Sequence, residues 1–190
     1  MMDNFEVFGL PRRLGIDAEA LQGRFYELSR RLHPDFHTGA PPEEQARTLE
    51  ASASLNAAYR ALRDPIARIE YLVQLEDGRA TREGAAVKPP VPPGLLEEMF
   101  EIQEALAEAR AGALDETARK TLSAQRERLL AQRRDAGARL TGPLSAAWDA
   151  AEASTRPALL EQFRQGLATR AYLKTVIDDL DNALGQDKNA

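Results

Sequence analysis

The chain has 190 residues, 43% apolar and 29% charged, with a formal net charge of −5. That length suffices for one or two small domains with their own cores, and the balance is ordinary for a globular protein. The pI near 5.2 argues against nucleic acid as the main partner, and the lack of cysteine excludes disulfides and thiolate metal sites.

Alanine, leucine, glutamate and arginine dominate, and aromatics are sparse. Such side chains lose little rotamer freedom in a helix, and no run shows the period-2 alternation of a strand, so the expected fold class is all-α. The first ten residues carry Asp3 and Glu6 and no basic stretch before a long apolar run, which is not the pattern of a signal peptide. No stretch approaches the length of a membrane-spanning helix. The expected location is the cytoplasm, with no membrane partner.

Asn4 to Pro11 reads as a short helical turn closed by Gly9 and Pro11, with Phe5, Val7, Phe8 and Leu10 lidding a nearby helical pair. Asp17 can cap the next helix, with Glu19 in its first turn favouring the positive end of the dipole. Leu21, Phe25, Leu28 and Leu32 recur at helical spacing and define its inner face, while Arg24, Arg30 and Arg31 lie on the others. A basic cluster on one helix is ordinarily a solvated face. Here it leads directly into Leu32-His33-Pro34-Asp35-Phe36, which raises the case for an acidic partner. Pro34 removes an amide donor and biases His33 away from helical angles, so the helix stops.

The loop Thr38 to Pro42 follows, and Pro42 with Glu43 and Glu44 opens a second long helix. Its main apolar line is Leu55, Tyr59 and Leu62, and a second, partly buried line is Leu49, Ala53, Asn56 and Arg60. Asp64-Pro65 ends it and starts another, apolar on more than one side through Ile66, Ile69, Tyr71, Leu72, Val73 and Leu75, which Asp77-Gly78 closes. The proline-rich stretch 79–94 cannot continue a helix and reads as a semi-rigid linker between a domain at 1–78 and another at 95–185.

In the second half Leu95, Met99, Ile102, Leu106 and Ala109 form one stripe, with Leu96 and Phe100 about 100° round the helix, flanked by Glu97, Glu101, Glu104 and Glu108. The first stripe suffices for a core. The second is either an exposed apolar ridge rimmed by carboxylates, the mark of a protein-binding surface, or the face towards a third helix. A further helix runs from Asp115 to about Leu140, anchored by Leu122, Leu129 and Leu130 and broken at Gly142-Pro143. A short helix around Leu144 to Ala151 precedes the last one, which Ser154 or Thr155 caps and whose broad face includes Phe163, Gly166, Arg170, Leu173, Ile177 and Leu180. An antiparallel bundle of about three helices buries these faces most simply.

Chemistry of the chain's own is poorly supported. His33 and His37 stand four apart around Asp35, a spacing that suits a metal on a continuous helix, but Pro34 interrupts it. No HExxH, phosphate-cradling glycine loop or nucleophile spacing occurs, so no enzyme and no cofactor are expected. The plain alternative for His33-Pro34-Asp35 is a helix-stop turn.

A basic amphipathic helix, the His33-Pro34-Asp35 tripeptide, a short loop and a second long helix together resemble the J-domain. The segments NFEVFGLPRR, LNAAYRALRDPIARIEYLVQL and LLEEMFEIQEALAEA, in that order, are similar to the HscB family of J-domain co-chaperones of iron–sulfur cluster biogenesis, over nearly the whole chain. The absence of cysteine pairs points to the bacterial type. The resemblance implies that His33, Pro34, Asp35, Arg24, Arg30 and Arg31 engage a DnaK-type or HscA-type chaperone and stimulate its ATPase. It further implies that Leu96, Phe100, Glu101, Glu104, Glu108 and Tyr172 bind the scaffold protein IscU. Glu97 replaces an apolar residue usual at that contact, and the stretch from Trp148 to Tyr172 is longer than in familiar bacterial members. The competing expectation is a general J-domain protein that recruits a DnaK-type chaperone to a different client.

Overall fold

The computed structural model describes residues 2–36, 38–78, 100, 102–107 and 115–186. The linker expected at 79–94 lies outside them. Among the described residues every regular element is helical. The chain forms two compact units, residues 1–81 with 141–159, and residues 82–140 with 160–190.

The first unit is built around one long helix. Its opening helix α1 (Asn4–Val7) is held by a reciprocal capping box: the Asp3 carboxylate accepts from the Phe5 and Glu6 amides, and Glu6 accepts from the Asp3 amide. Gly9, at φ 64°, makes the turn out of it, a backbone region open to glycine at no steric cost. The lid role expected of Phe5 and Phe8 is what burial shows. Helix α2 (Ala18–Arg31) is capped by Asp17, whose carboxylate accepts from Glu19 and Ala20. Helix α3 (Pro42–Arg63) starts on Pro42, whose missing N–H is one of the unpaired first-turn donors in any case. Helices α1, α2 and α4 (Pro65–Glu76) all pack on α3.

Leu55, Ala58 and Leu62 form the buried face of α3, and Phe25 of α2 stacks on Tyr59 with ring centres 4.1 Å apart. The line Leu49, Ala53, Asn56 and Arg60, expected to be partly buried, faces solvent. The first line already fills the space beneath α1, α2 and α4.

The residues 141–159 are the main departure from the sequence reading. The contiguous domain 95–185 assigns them to the second half, whereas they cluster with the first unit. Gly142-Pro143 does not break the chain's helical path there. Leu140–Leu144 winds as a π turn and leads into α6 (Ser145–Ala150). A wider turn accommodates Pro143, which has no amide to donate and whose ring crowds the carbonyl one turn back. Leu144 and Trp148 are buried, and the Arg156 guanidinium lies 5.1 Å from the Trp148 ring centre.

Asp149 explains why this segment belongs with residues far away in sequence. Its carboxylate accepts from the Leu14 amide at 2.8 Å and the Gly15 amide at 2.7 Å. The Leu14 carbonyl in turn accepts from the buried Arg68 guanidinium, which also donates to the Leu62 carbonyl at 2.8 Å. Burial pulls the Arg68 pKa down, and the carboxylates of Asp64 and Asp149 work against that. A buried guanidinium needs acceptors for its donors, and the Leu14 and Leu62 carbonyls supply two of them.

In the second unit the helical residues 102–107, α5 (Glu116–Arg139) and α7 (Arg156–Gln186) share one core of Ile102, Leu106, Leu122, Leu129, Leu173 and Leu180, with Val176 and Ile177. Asp115 caps α5 by accepting from the Ala118 amide. Gly166 lies against Leu140, where a Cβ would stand 2.7 Å from a methyl carbon. Arg170, on the apolar face of α7, donates to the Arg133 carbonyl at 2.6 Å. Thr155, expected with Ser154 as a candidate cap for this helix, donates its hydroxyl to the Glu152 carbonyl at 2.9 Å.

Candidate functional site

The tip of the α2–α3 hairpin stands out by its exposure and by how locally it is held. Helix α2 ends at Leu32, the His33 amide still reaches the Arg30 carbonyl at 3.4 Å, and Pro34–Phe36 form one 3₁₀ turn. The Phe36 amide closes that turn on the His33 carbonyl at 3.1 Å.

His33 is oriented by its neighbour. The Asp35 amide donates to His33 Nδ1 at 3.3 Å, and an Asp35 carboxylate oxygen lies 3.5 Å from the same nitrogen. In the neutral ring an Nδ1 that accepts leaves the proton on Nε2. The tip thus presents an exposed imidazole and, beside it, a solvent-exposed carboxylate. The Phe36 ring meets the His33 ring edge-on at 6.1 Å and is 72% exposed. The third member of the metal-like spacing, His37, lies outside the described residues. Among the described residues no group of three His, Asp or Glu side chains could hold a metal ion.

The three arginines are exposed, as expected, but they do not make one patch. At 100° per residue, Arg24 and Arg31 each lie roughly 100° or more round the helix from Arg30, which stands in its last turn. Arg24 pairs with Glu27 at 3.0 Å, which neutralises part of that flank. It also lines a hollow of about 560 Å³ with Leu10, Pro11 and Ile16, away from the tip. Arg30 and Arg31 sit in the last turn of α2, where a cation also offsets the helix dipole.

Sequence reasoning passed over one residue here. Tyr26 is 61% exposed and stands one turn before Arg30 on the outer side of α2, the helix that leads into His33. The signal was available, because Tyr26 falls outside the inward line of Leu21, Phe25, Leu28 and Leu32.

The second unit carries the other expected surface. Ile102 and Leu106 are buried and Phe100 is 70% exposed, so Phe100 faces away from the core. Glu104, one turn on, is exposed beside it. Leu96, Glu97, Glu101 and Glu108 lie outside the described residues. Tyr172 is half-buried on α7 and packs against the core cluster. Phe100 and Glu104 thus share an open face, whereas Tyr172 belongs to the edge of the core.

No protein-family model matches the chain. Its fold is similar to that of the chaperone HscB from Vibrio cholerae, with a TM-score of 0.60 and 25% identity over 97% of this chain and 99% of that one. It is likewise similar to the human co-chaperone protein HscB, with a TM-score of 0.61 and 24% identity over 99% of this chain and 83% of that chain.

Proposed function

We propose that this chain, a J-domain co-chaperone of the HscB family serving iron–sulfur cluster biogenesis, stimulates ATP hydrolysis by a DnaK/HscA-type chaperone and delivers an IscU-like scaffold protein to it. The observation that carries the reading is the tip: a histidine and an aspartate locked by a proline turn, exposed, at the end of a helix with cations on its outer faces.

The tip works as a contact and the hydrolysis is the partner's chemistry. The His33 imidazole hydrogen-bonds to the chaperone, Asp35 accepts from or pairs with a cation there, and the 3₁₀ turn presents both without further ordering. Arg30 and Arg31 favour approach to an acidic surface and raise the association rate, an effect that salt weakens. On the second unit, Phe100 and Glu104, with Leu96, Glu101 and Glu108 in the sequence around them, hold the scaffold, and Tyr172 supports that face from the core edge.

The test is chaperone ATPase measured with and without the co-chaperone and the scaffold. His33→Gln keeps the chain length and polarity and removes the ring, so stimulation should be lost while the fold is kept; full stimulation by that variant would sink the tip assignment. Phe100→Ala should weaken scaffold binding about tenfold, as expected for an aromatic anchor, measured by calorimetry. An unchanged affinity would remove Phe100 from the scaffold surface. Capture of unfolded chains in preference to one folded scaffold would favour a general J-domain protein.

A further inference from the structure

The chaperone-facing side of the first unit is less basic than its arginine count suggests, and more aromatic. The outer side of α2, the helix that leads into His33, carries Tyr26 and Arg30, and beyond the proline turn stands Phe36. Tyr26 and Phe36 are two of the few large apolar side chains left open to solvent among the described residues, at 61% and 72%. Neither exposure serves the fold. The core of the hairpin is complete without them, through Leu21, Leu55 and Leu62 and the stacked pair Phe25 and Tyr59. Holding them out is set by the backbone: Tyr26 by helix phase, and Phe36 by the 3₁₀ turn that closes on the His33 carbonyl at 3.1 Å.

We propose that Tyr26 and Phe36 are apolar anchors on either side of His33, and that they supply most of the affinity for the chaperone, while His33 and Asp35 supply the trigger. This rests on the co-chaperone reading above. The occupant is the ATP-hydrolysing partner itself, at an acidic surface that has an apolar recess. Charge complementarity with Arg30 asks for the acid, and the two flanking rings ask for the recess. Electrostatics alone is a weak holder here, because Glu27 occupies Arg24 at 3.0 Å and exposed ion pairs contribute little. Rigid aromatic side chains bracketing a functional polar group are the usual source of binding energy in a small interface, since they bury large area with few rotatable bonds.

The experiment uses the full chain and reads chaperone ATPase as a function of co-chaperone concentration and of salt. Tyr26→Ala and Phe36→Ala should each raise the half-activating concentration about tenfold, and the double variant further, with maximal stimulation at saturation retained. Tyr26→Phe should restore the wild-type midpoint, because the ring and not the hydroxyl makes the contact. Salt should raise the wild-type midpoint through the arginines' share of association, and the shift caused by Tyr26→Ala and Phe36→Ala should persist at low and at physiological salt. A thermal melt checks the fold, and both variants should melt with the wild type. A double variant with a wild-type midpoint overturns the anchors while leaving the trigger intact, provided His33→Gln still loses maximal stimulation. A steep salt dependence with unchanged midpoints assigns the affinity to the arginines and also overturns the proposal. A wild-type chain that gives no stimulation overturns the co-chaperone reading and the anchors together.

Discussion

The base and the tip of the first unit are held in opposite ways. At the base, polar contacts join residues far apart in sequence: Asn4 to Tyr71, 67 residues on, Arg68 to Leu14, 54 residues back, and Asp149 to Leu14, 135 residues apart. At the tip, the polar contacts around His33 span two or three residues. The difference separates what keeps the unit folded from what it presents. Substitutions at the base should act on stability, and substitutions at the tip should act on partner activity with the fold intact.

The largest effect that would break this contrast is at Trp148. It is 1% exposed and faces the Arg156 guanidinium. Trp148→Ala should cost about 3–5 kcal/mol, as for other fully buried large aromatics, seen as a lower urea midpoint followed by far-UV circular dichroism. A cost near zero would detach 141–159 from the stability of the first unit.

Asp149→Ala comes next. It strands the amides of Leu14 and Gly15 and removes a carboxylate near Arg68. The expected cost is about 1–3 kcal/mol, with Asp149→Asn recovering part of it through one carbonyl oxygen.

Tyr71→Phe should cost about 1 kcal/mol, since the phenol oxygen accepts from the Asn4 amide at 2.8 Å. This residue also carries a pH signature. Burial raises the Tyr71 pKa above its ordinary 10.0, with the Asn4 amide pulling the other way. A phenol that ionises later in the folded than in the unfolded chain contributes stability that is present below about pH 10 and is lost as pH rises through the folded value. The wild type should therefore lose stability above pH 10 more steeply than Tyr71→Phe, in urea titrations across pH 9–11.

The smallest expected effect is at the tip. His33→Gln should change stability by under about 0.5 kcal/mol, the usual range for an exposed position, while removing ATPase stimulation. A large stability loss there would mean that the tip is part of the scaffold of the fold and would end the contrast.

Much of the architecture was legible because it depends on short-range pattern. Asp3, Asp17, Asp64 and Asp115 each cap the helix that follows. The apolar spacing of Leu55, Tyr59 and Leu62, and of Ile102 and Leu106, sets which faces turn inward. The proline at 34 stops a helix and leaves its flanking polar residues exposed. Each of these is decided within a turn or two of helix, so composition and period suffice.

The sequence by itself thus determined an all-helical chain, the positions of most helix starts, and a rigid His33-Pro34-Asp35 tip behind α2. Tertiary structure alone decided that Phe100 faces outward, that Leu49 gains no cover, and that residues 141–159 join the first unit. These outcomes depend on which surfaces meet across long separations. A lone aspartate such as Asp149 carries no local signal of the two amides it will accept from 134 and 135 residues away. Nor does Arg68 announce that the carbonyls of Leu14 and Leu62 will accept from it once burial has removed water.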